Sequence, residues 1–206
     1  MKQTNLLDIA TQSSGDKSNA IFRPLVAALL CIAIWVTAPN ADATQWMLGG
    51  FITLCLSDLV RGLTLPTSKV AFALDLVGIA AISGAYWSQL DSEIIWWLPA
   101  FLFASGVIVF LLMLPQLDTL LAPVTLMGML LVQLLWASGE VWLAQMSLFS
   151  LIGFIGSLVL LASQMLFVLH HYRKPVQNGE AWGSVSYFVA LFFIALSIIF
   201  ALHQTA

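Results

Sequence analysis

Apolar residues gather in seven long runs along this chain, at approximately 24–38, 46–60, 70–89, 94–114, 120–143, 147–170 and 184–202. A helix needs about 20 mostly apolar residues to cross a bilayer, within a range of about 17–25. The first two runs are short of that and are read as extending by a turn into their flanks. Short connections with helix breakers separate the runs: Pro39-Asn40, Pro66, Asp91, Pro115 and Pro175. Brief links favour antiparallel neighbours, so the pattern predicts an all-α fold. It is a polytopic transmembrane bundle of about seven antiparallel helices, one domain over residues 23–206. Residues 1–22 are polar and read as a cytoplasmic N-terminal segment. The stretch 25–36 followed by Ala41-Asp42-Ala43 also has the outline of a cleaved signal peptide. The long polar lead and the six later runs suit a retained helix better.

Composition reinforces this picture. The 206 residues are 61% hydrophobic and 8% charged, whereas soluble domains carry about 25% charged residues. So few charges cannot cover a water-soluble surface, and most of this one must face lipid. The seven basic residues are Lys2, Lys17, Arg23, Arg61, Lys69, Arg173 and Lys174. They stand singly or paired between apolar runs, which excludes a nucleic-acid patch. Counted from the amino terminus, all seven fall in odd-numbered flanks, while even flanks hold Asp42, Asp91 and Glu93. Basic residues mark the cytoplasmic side. The expected placement is therefore a multi-pass membrane protein of the bacterial inner membrane, amino terminus in the cytoplasm and carboxyl terminus outside.

Ionisable residues inside membrane segments are costly and by default suggest a functional site. Asp58, Asp75 and Glu140 qualify. Asp58 lies near the end of the second run and Asp75 more than a turn into the third, so a hairpin sets both acids at similar depth. Ser163, Gln164 and Tyr187 fall near the same ends of the sixth and seventh runs. On the third helix Asp75, Gly78, Ala81 or Ile82, and Ala85 share a face; on the sixth, Gly153, Gly156, Leu160 and Gln164 do. Small residues at that spacing let helices approach closely, and the shared depth predicts a cavity opening toward the cytoplasmic half. Structural roles compete with each assignment. Asp58 has Arg61 three residues on, Asp75 has Lys69 near its own helix start, and Glu140 has Gln133 or water. Trp46, Trp87, Trp96, Trp97, Trp142 and Trp182 sit at helix ends and read as an interfacial belt. Cys31 and Cys55 read as apolar packing residues, and His170, His171 and His203 lack helical metal spacing. No metal and no cofactor are expected.

Several local patterns, taken in order, resemble the YhhN family of lysoplasmalogenases, small membrane proteins of bacteria and animals. Phe22-Arg23-Pro24-Leu25 is similar to the family's Lys-Pro-Leu start of a helix. Leu56-Ser57-Asp58 falls where the family has a Gly-Asp pair. Ser138-Gly139-Glu140-Val141-Trp142 looks like a Gly-Glu segment of some bacterial members. Gly153 to Gln164, followed by His170-His171-Tyr172-Arg173, resembles the penultimate helix and its basic exit, and Tyr187 begins the last helix in a similar position. The likeness runs from Phe22 to the carboxyl terminus. It also has gaps. The family's Ser-Asp reads Ser163-Gln164 here, Ala81 and Gly84 stand where a His and a Tyr are usual, and polar residues replace a further leading helix.

The resemblance implies hydrolysis of the vinyl ether of a lysoplasmalogen to a fatty aldehyde and a glycerophospho-alcohol. That chemistry needs a protonated acid to deliver a proton to carbon and a carboxylate to stabilise the resulting cation. Asp58 matches the family pattern, and Asp75 is the acid available to replace the one lost at Gln164. The expected site is thus Asp58 and Asp75 as catalytic groups, with Ser163, Gln164 and Tyr187 binding a membrane lipid or lysolipid. A non-catalytic lipid- or partner-binding relative is the alternative. A small transporter fits less well, since no internal repeat or broken helix stands out.

Overall fold

The computed structural model describes residues 24–37, 42–63, 68–90, 94–113, 121–172 and 179–204. These residues form seven helices: α1 (Pro24–Thr37), α2 (Asp42–Leu63), α3 (Lys69–Trp87), α4 (Trp97–Met113), α5 (Leu121–Gln145), α6 (Leu148–Tyr172) and α7 (Gly179–Gln204). There is no strand among the described residues. Five of the helices, α2, α3, α5, α6 and α7, are long and apolar enough to cross a membrane, and α1 and α4 contribute shorter apolar stretches. The polar segment 1–22 lies outside the described residues.

Each predicted run became one helix. α2 gains a turn at both ends, as expected of so short a run. α7 departs from expectation by starting at Gly179 rather than at 184. Hydropathy cuts the run at its polar residues, but packing continues the helix through them. Ser186 Oγ donates to the Trp182 carbonyl, and Ser163 Oγ on α6 donates to the Gly183 carbonyl at 3.0 Å. Tyr187 therefore sits about two turns inside its helix instead of at its start.

Side-chain partners fix the antiparallel packing. Down α2, Trp46, Gly50 and Leu54 meet Gly84, Ile82 and Gly78 of α3 in reverse order. Gly153 and Gly156 of α6 likewise meet Ser197 and Phe193 of α7. α5 lies between α4 and α6 and also packs on α3. Met146 and Ser147 make the turn between α5 and α6. Met146 takes a left-handed conformation at φ 49°, uncommon outside glycine. Ser147 then caps α6, its Oγ accepting the Ser150 N–H at 3.1 Å.

The end of the bundle carrying Arg61 and Lys69 is its basic end; Asp42, Trp87 and Gln145 mark the far end. One core runs between them, with Phe51, Ile82, Leu134, Leu160 and Ile194 among its fully buried side chains. Outside it, large apolar side chains such as Trp35 and Phe101 are more than half exposed, a surface suited to lipid. Trp46, Trp96, Trp97 and Trp182 are exposed, whereas Trp87 and Trp142 are half-buried. Trp87 meets Trp136 edge-on and Trp142 stacks on Phe154.

Buried hydroxyls differ in their partners. Ser138 and Ser157 bond carbonyls of their own helices, Leu135 and Gly153, as serines inside helices commonly do. Ser83 Oγ and Tyr86 OH, both fully buried on α3, have no hydrogen-bond partner. A buried hydroxyl left unmatched costs about 1–3 kcal/mol.

Candidate functional site

The α2–α3 hairpin builds the site by close approach. A methyl group at Gly50 would lie 2.6 Å from Ile82 Cγ1 and 3.0 Å from the Gly78 carbonyl oxygen. One at Gly78 would lie 2.8 Å from Leu54 Cγ. These glycines bring the two backbones together, and Ser57 Oγ then donates across the seam to the Ala71 carbonyl at 2.8 Å. One turn nearer the basic end, Arg61 reaches from the last turn of α2 to Asp75 on α3 and forms an ion pair with its Oδ2. Its other terminal nitrogen lies 3.7 Å from Oδ1 of Asp58.

One guanidinium therefore addresses both acids. Their side chains are almost wholly buried, at 2% for Asp58 and 4% for Asp75, while Arg61 keeps 26% of its own exposed. A cation in the last turn is favoured by the helix dipole.

The sequence offered Lys69 as a competing structural partner for Asp75; the structure adds Arg61, on the neighbouring helix, which pairs with it. Six residues of helix rotate by about 600°, which leaves Lys69 roughly 120° around from Asp75. The expected pairing of Asp58 with Arg61 at i+3 is present, though at long range. Asp75 is the nearer partner.

The α6–α7 residues stand as follows. Ser163 is buried and bonded to Gly183 in the seam between the two helices. Gln164, beside it, is half-buried. Tyr187 is 7% exposed and belongs to the same core cluster as Ile79 and Ile82 of α3. On α3, the inward face runs through Asp75, Gly78, Ile82 and Ala85, so Ile82 rather than Ala81 completes it. Ala81 instead helps line a depression between α2 and α3 together with Gln45, Trp46, Gly49, Thr53 and Val77. That depression opens on the outer face of the hairpin, and neither acid lines it.

Glu140 proves to be a tie at the far end. Its carboxylate accepts the Trp136 indole N–H at 3.0 Å and the Ile95 backbone N–H at 3.2 Å. Gln133 does not fill that role: it lies nearly two turns away along α5 and is exposed. Trp136, one turn away, is the i, i+4 neighbour. Near α1, the Cys55 thiol donates to the Pro24 carbonyl at 3.3 Å and holds the start of that helix against α2.

The sequence model of the YhhN family matches residues 18–198. The chain belongs to the YhhN family. It is 28% identical over 182 residues to the membrane protein YhhN of Escherichia coli O157:H7 and to that of Shigella flexneri. In each case the match covers 86% of this chain and 86% of the relative. No solved structure matches the chain. Family membership and five spanning-length helices together make this YhhN protein a multi-pass membrane protein. The matched region contains Asp58, Arg61 and Asp75, as well as the whole α6 segment.

Proposed function

We propose that this YhhN-family protein hydrolyses the vinyl ether of lysoplasmalogens, with Asp58 and Asp75 as its working carboxyls. The observation that carries the reading is the single guanidinium shared by two buried acids on neighbouring helices. Two carboxyls and one guanidinium are electrically neutral when they hold one proton, and burial favours a neutral cluster. Vinyl-ether hydrolysis uses such a proton. Transfer to the outer carbon of the double bond leaves an oxocarbenium-like cation on the carbon attached to oxygen. The remaining carboxylate stabilises that cation until water adds, and the resulting hemiacetal collapses to a fatty aldehyde and a glycerophospho-alcohol.

Ser163, Gln164 and Tyr187 are the proposed contacts to the lysolipid. From the segregation of all seven Lys and Arg we also infer that the basic end faces the cytoplasm, in a bacterial inner membrane, with the carboxyl terminus outside.

The non-catalytic reading draws on Gln164. A glutamine cannot donate or take up a proton, so a chain lacking the family's acid there suits lipid or partner binding. Release of fatty aldehyde from a vinyl-ether lysolipid by the purified protein in detergent separates the two. Production of aldehyde supports the hydrolase, and its absence with a folded protein supports the binding role.

A further inference from the structure

Gln133 stands at the middle of α5, within the apolar span Ala122–Gln145. At 1.5 Å per residue its backbone is about 16 Å or more from either end of that span, beyond the reach of a glutamine side chain, so water does not serve its amide. Yet the residue is exposed, and among the described residues no hydrogen bond reaches it. Polar side chains elsewhere satisfy themselves on carbonyls of their own helices. Thr53 bonds Gly49 and Gly50, Ser105 bonds Phe101 and Leu102, and Gln89 donates to Ala85 one turn back. Gln133 has no such bond. A polar group that faces lipid at this depth is costly unless something hydrogen-bonds to it.

Gln133 also belongs to a stripe. Ala122, Leu126, Met129 and Gln133 are all exposed and follow one another at the 4-3-4 spacing of a helix–helix seam. Leu126 is 49% exposed and Met129 60%, whereas Leu131, Leu134 and Ser138 on the other side of α5 are buried. An amide both donates and accepts, so a second amide at the same depth satisfies it. Copies of one chain inserted in one membrane share an orientation. A two-fold axis between them then stands along the membrane normal and sets their α5 helices parallel, each residue near the axis opposite its own counterpart. Gln133 is self-complementary in that arrangement. We propose that this face of α5 is a homodimer seam, closed by a hydrogen bond between the two copies of Gln133 at mid-membrane. The seam lies on a different helix from Asp58 and Asp75 and stands whether or not the chain hydrolyses lipid.

The test is energy transfer between donor- and acceptor-labelled copies of the full-length protein in liposomes, followed as lipid dilutes the protein. The wild type should show transfer that falls on dilution, and Gln133→Leu should associate about tenfold more weakly. Leucine has similar bulk and suits a lipid-facing position, so the monomer fold should survive. In the membranes of expressing cells, where all copies share one orientation, Met129→Cys should form a disulfide-linked dimer on oxidation. The wild type, with Cys31 and Cys55 alone, gives the baseline. Leu158→Cys, exposed on α6, should stay at that baseline. A wild type that is monomeric at every dilution would mean that something other than a second copy covers the stripe, and would overturn the proposal. Transfer undiminished in Gln133→Leu would overturn it as well, and so would cross-linking of Leu158→Cys in place of Met129→Cys.

Discussion

Arg61 and Asp75 stand fourteen residues apart in the chain and form an ion pair across the α2–α3 hairpin. The same guanidinium lies within 3.7 Å of Asp58, so one positive charge serves two buried carboxyls. Removing it leaves both acids without their shared counter-charge. Arg61→Gln should therefore destabilise the protein by about 3 kcal/mol, the low end for breaking a buried pair, because Arg61 is itself partly solvated. Asp75→Asn should cost less, since an amide oxygen still accepts from the guanidinium. Thermal unfolding in detergent checks the order; equal losses, or a larger loss in Asp75→Asn, would contradict it.

The hairpin depends on glycine at its crossing. Gly50→Ala sets a methyl against Ile82 and the Gly78 carbonyl, where overpacking typically costs about 1–3 kcal/mol. Gly49, one residue earlier, has nothing within 4 Å of the same position. Gly49→Ala should be tolerated, or slightly stabilising through helix propensity, by up to about 1 kcal/mol. The two melting temperatures should move apart; parallel shifts would count against the close crossing.

Glu140 accepts two N–H groups at the far end. Both N–H groups reach Oε1 and the Ile95 N–H also forks to Oε2, so Glu140→Gln removes the charge and one arm of that fork, at a cost up to about 1.5–3 kcal/mol, the worth of a bond to a charged acceptor. The loss should loosen the start of α4 and lower thermal stability while leaving the basic end intact. Aldehyde-releasing activity that survives, in a protein with a lower melting temperature, is the expected combination. Loss of activity at unchanged stability would assign Glu140 a role in the chemistry.

The proposed orientation is testable without purification. A periplasmic reporter fused after Ala206 should be active outside the cytoplasm, and a cytoplasmic reporter inserted in the loop after Lys174 should be active inside. The reverse pair of signals would turn the bundle over.

Much of this architecture was legible in the sequence because lipid imposes a simple rule. Long apolar runs become helices, and all seven did, five of them at spanning length among the described residues. The hairpin depth of Asp58 and Asp75 was legible too, from one short connection. What the sequence concealed were contacts decided by rotation and by partners distant in the chain. Asp75 had Lys69 near it in sequence but on another face, and only the close α2–α3 packing made Arg61 its partner. Glu140 had Gln133 on its own side of the helix, yet Trp136 and the Ile95 backbone were within reach. Polar residues also hid the first turns of α7, since Gly179, Glu180 and Gly183 end an apolar run without ending a helix. The Tyr86 and Gly153 meeting joins α3 to α6, and no local pattern in either helix announces it.

The central claim is that Asp58 and Asp75 perform vinyl-ether hydrolysis together. The most direct measurement compares aldehyde release from a vinyl-ether lysolipid by the wild type, Asp58→Asn and Asp75→Asn, each first checked for a folded, monodisperse state in detergent. The account predicts turnover by the wild type and a drop of about 100-fold or more in each variant, on the scale of losing a general acid or base, with binding little changed. Wild-type turnover persisting in the double Asn variant would contradict it.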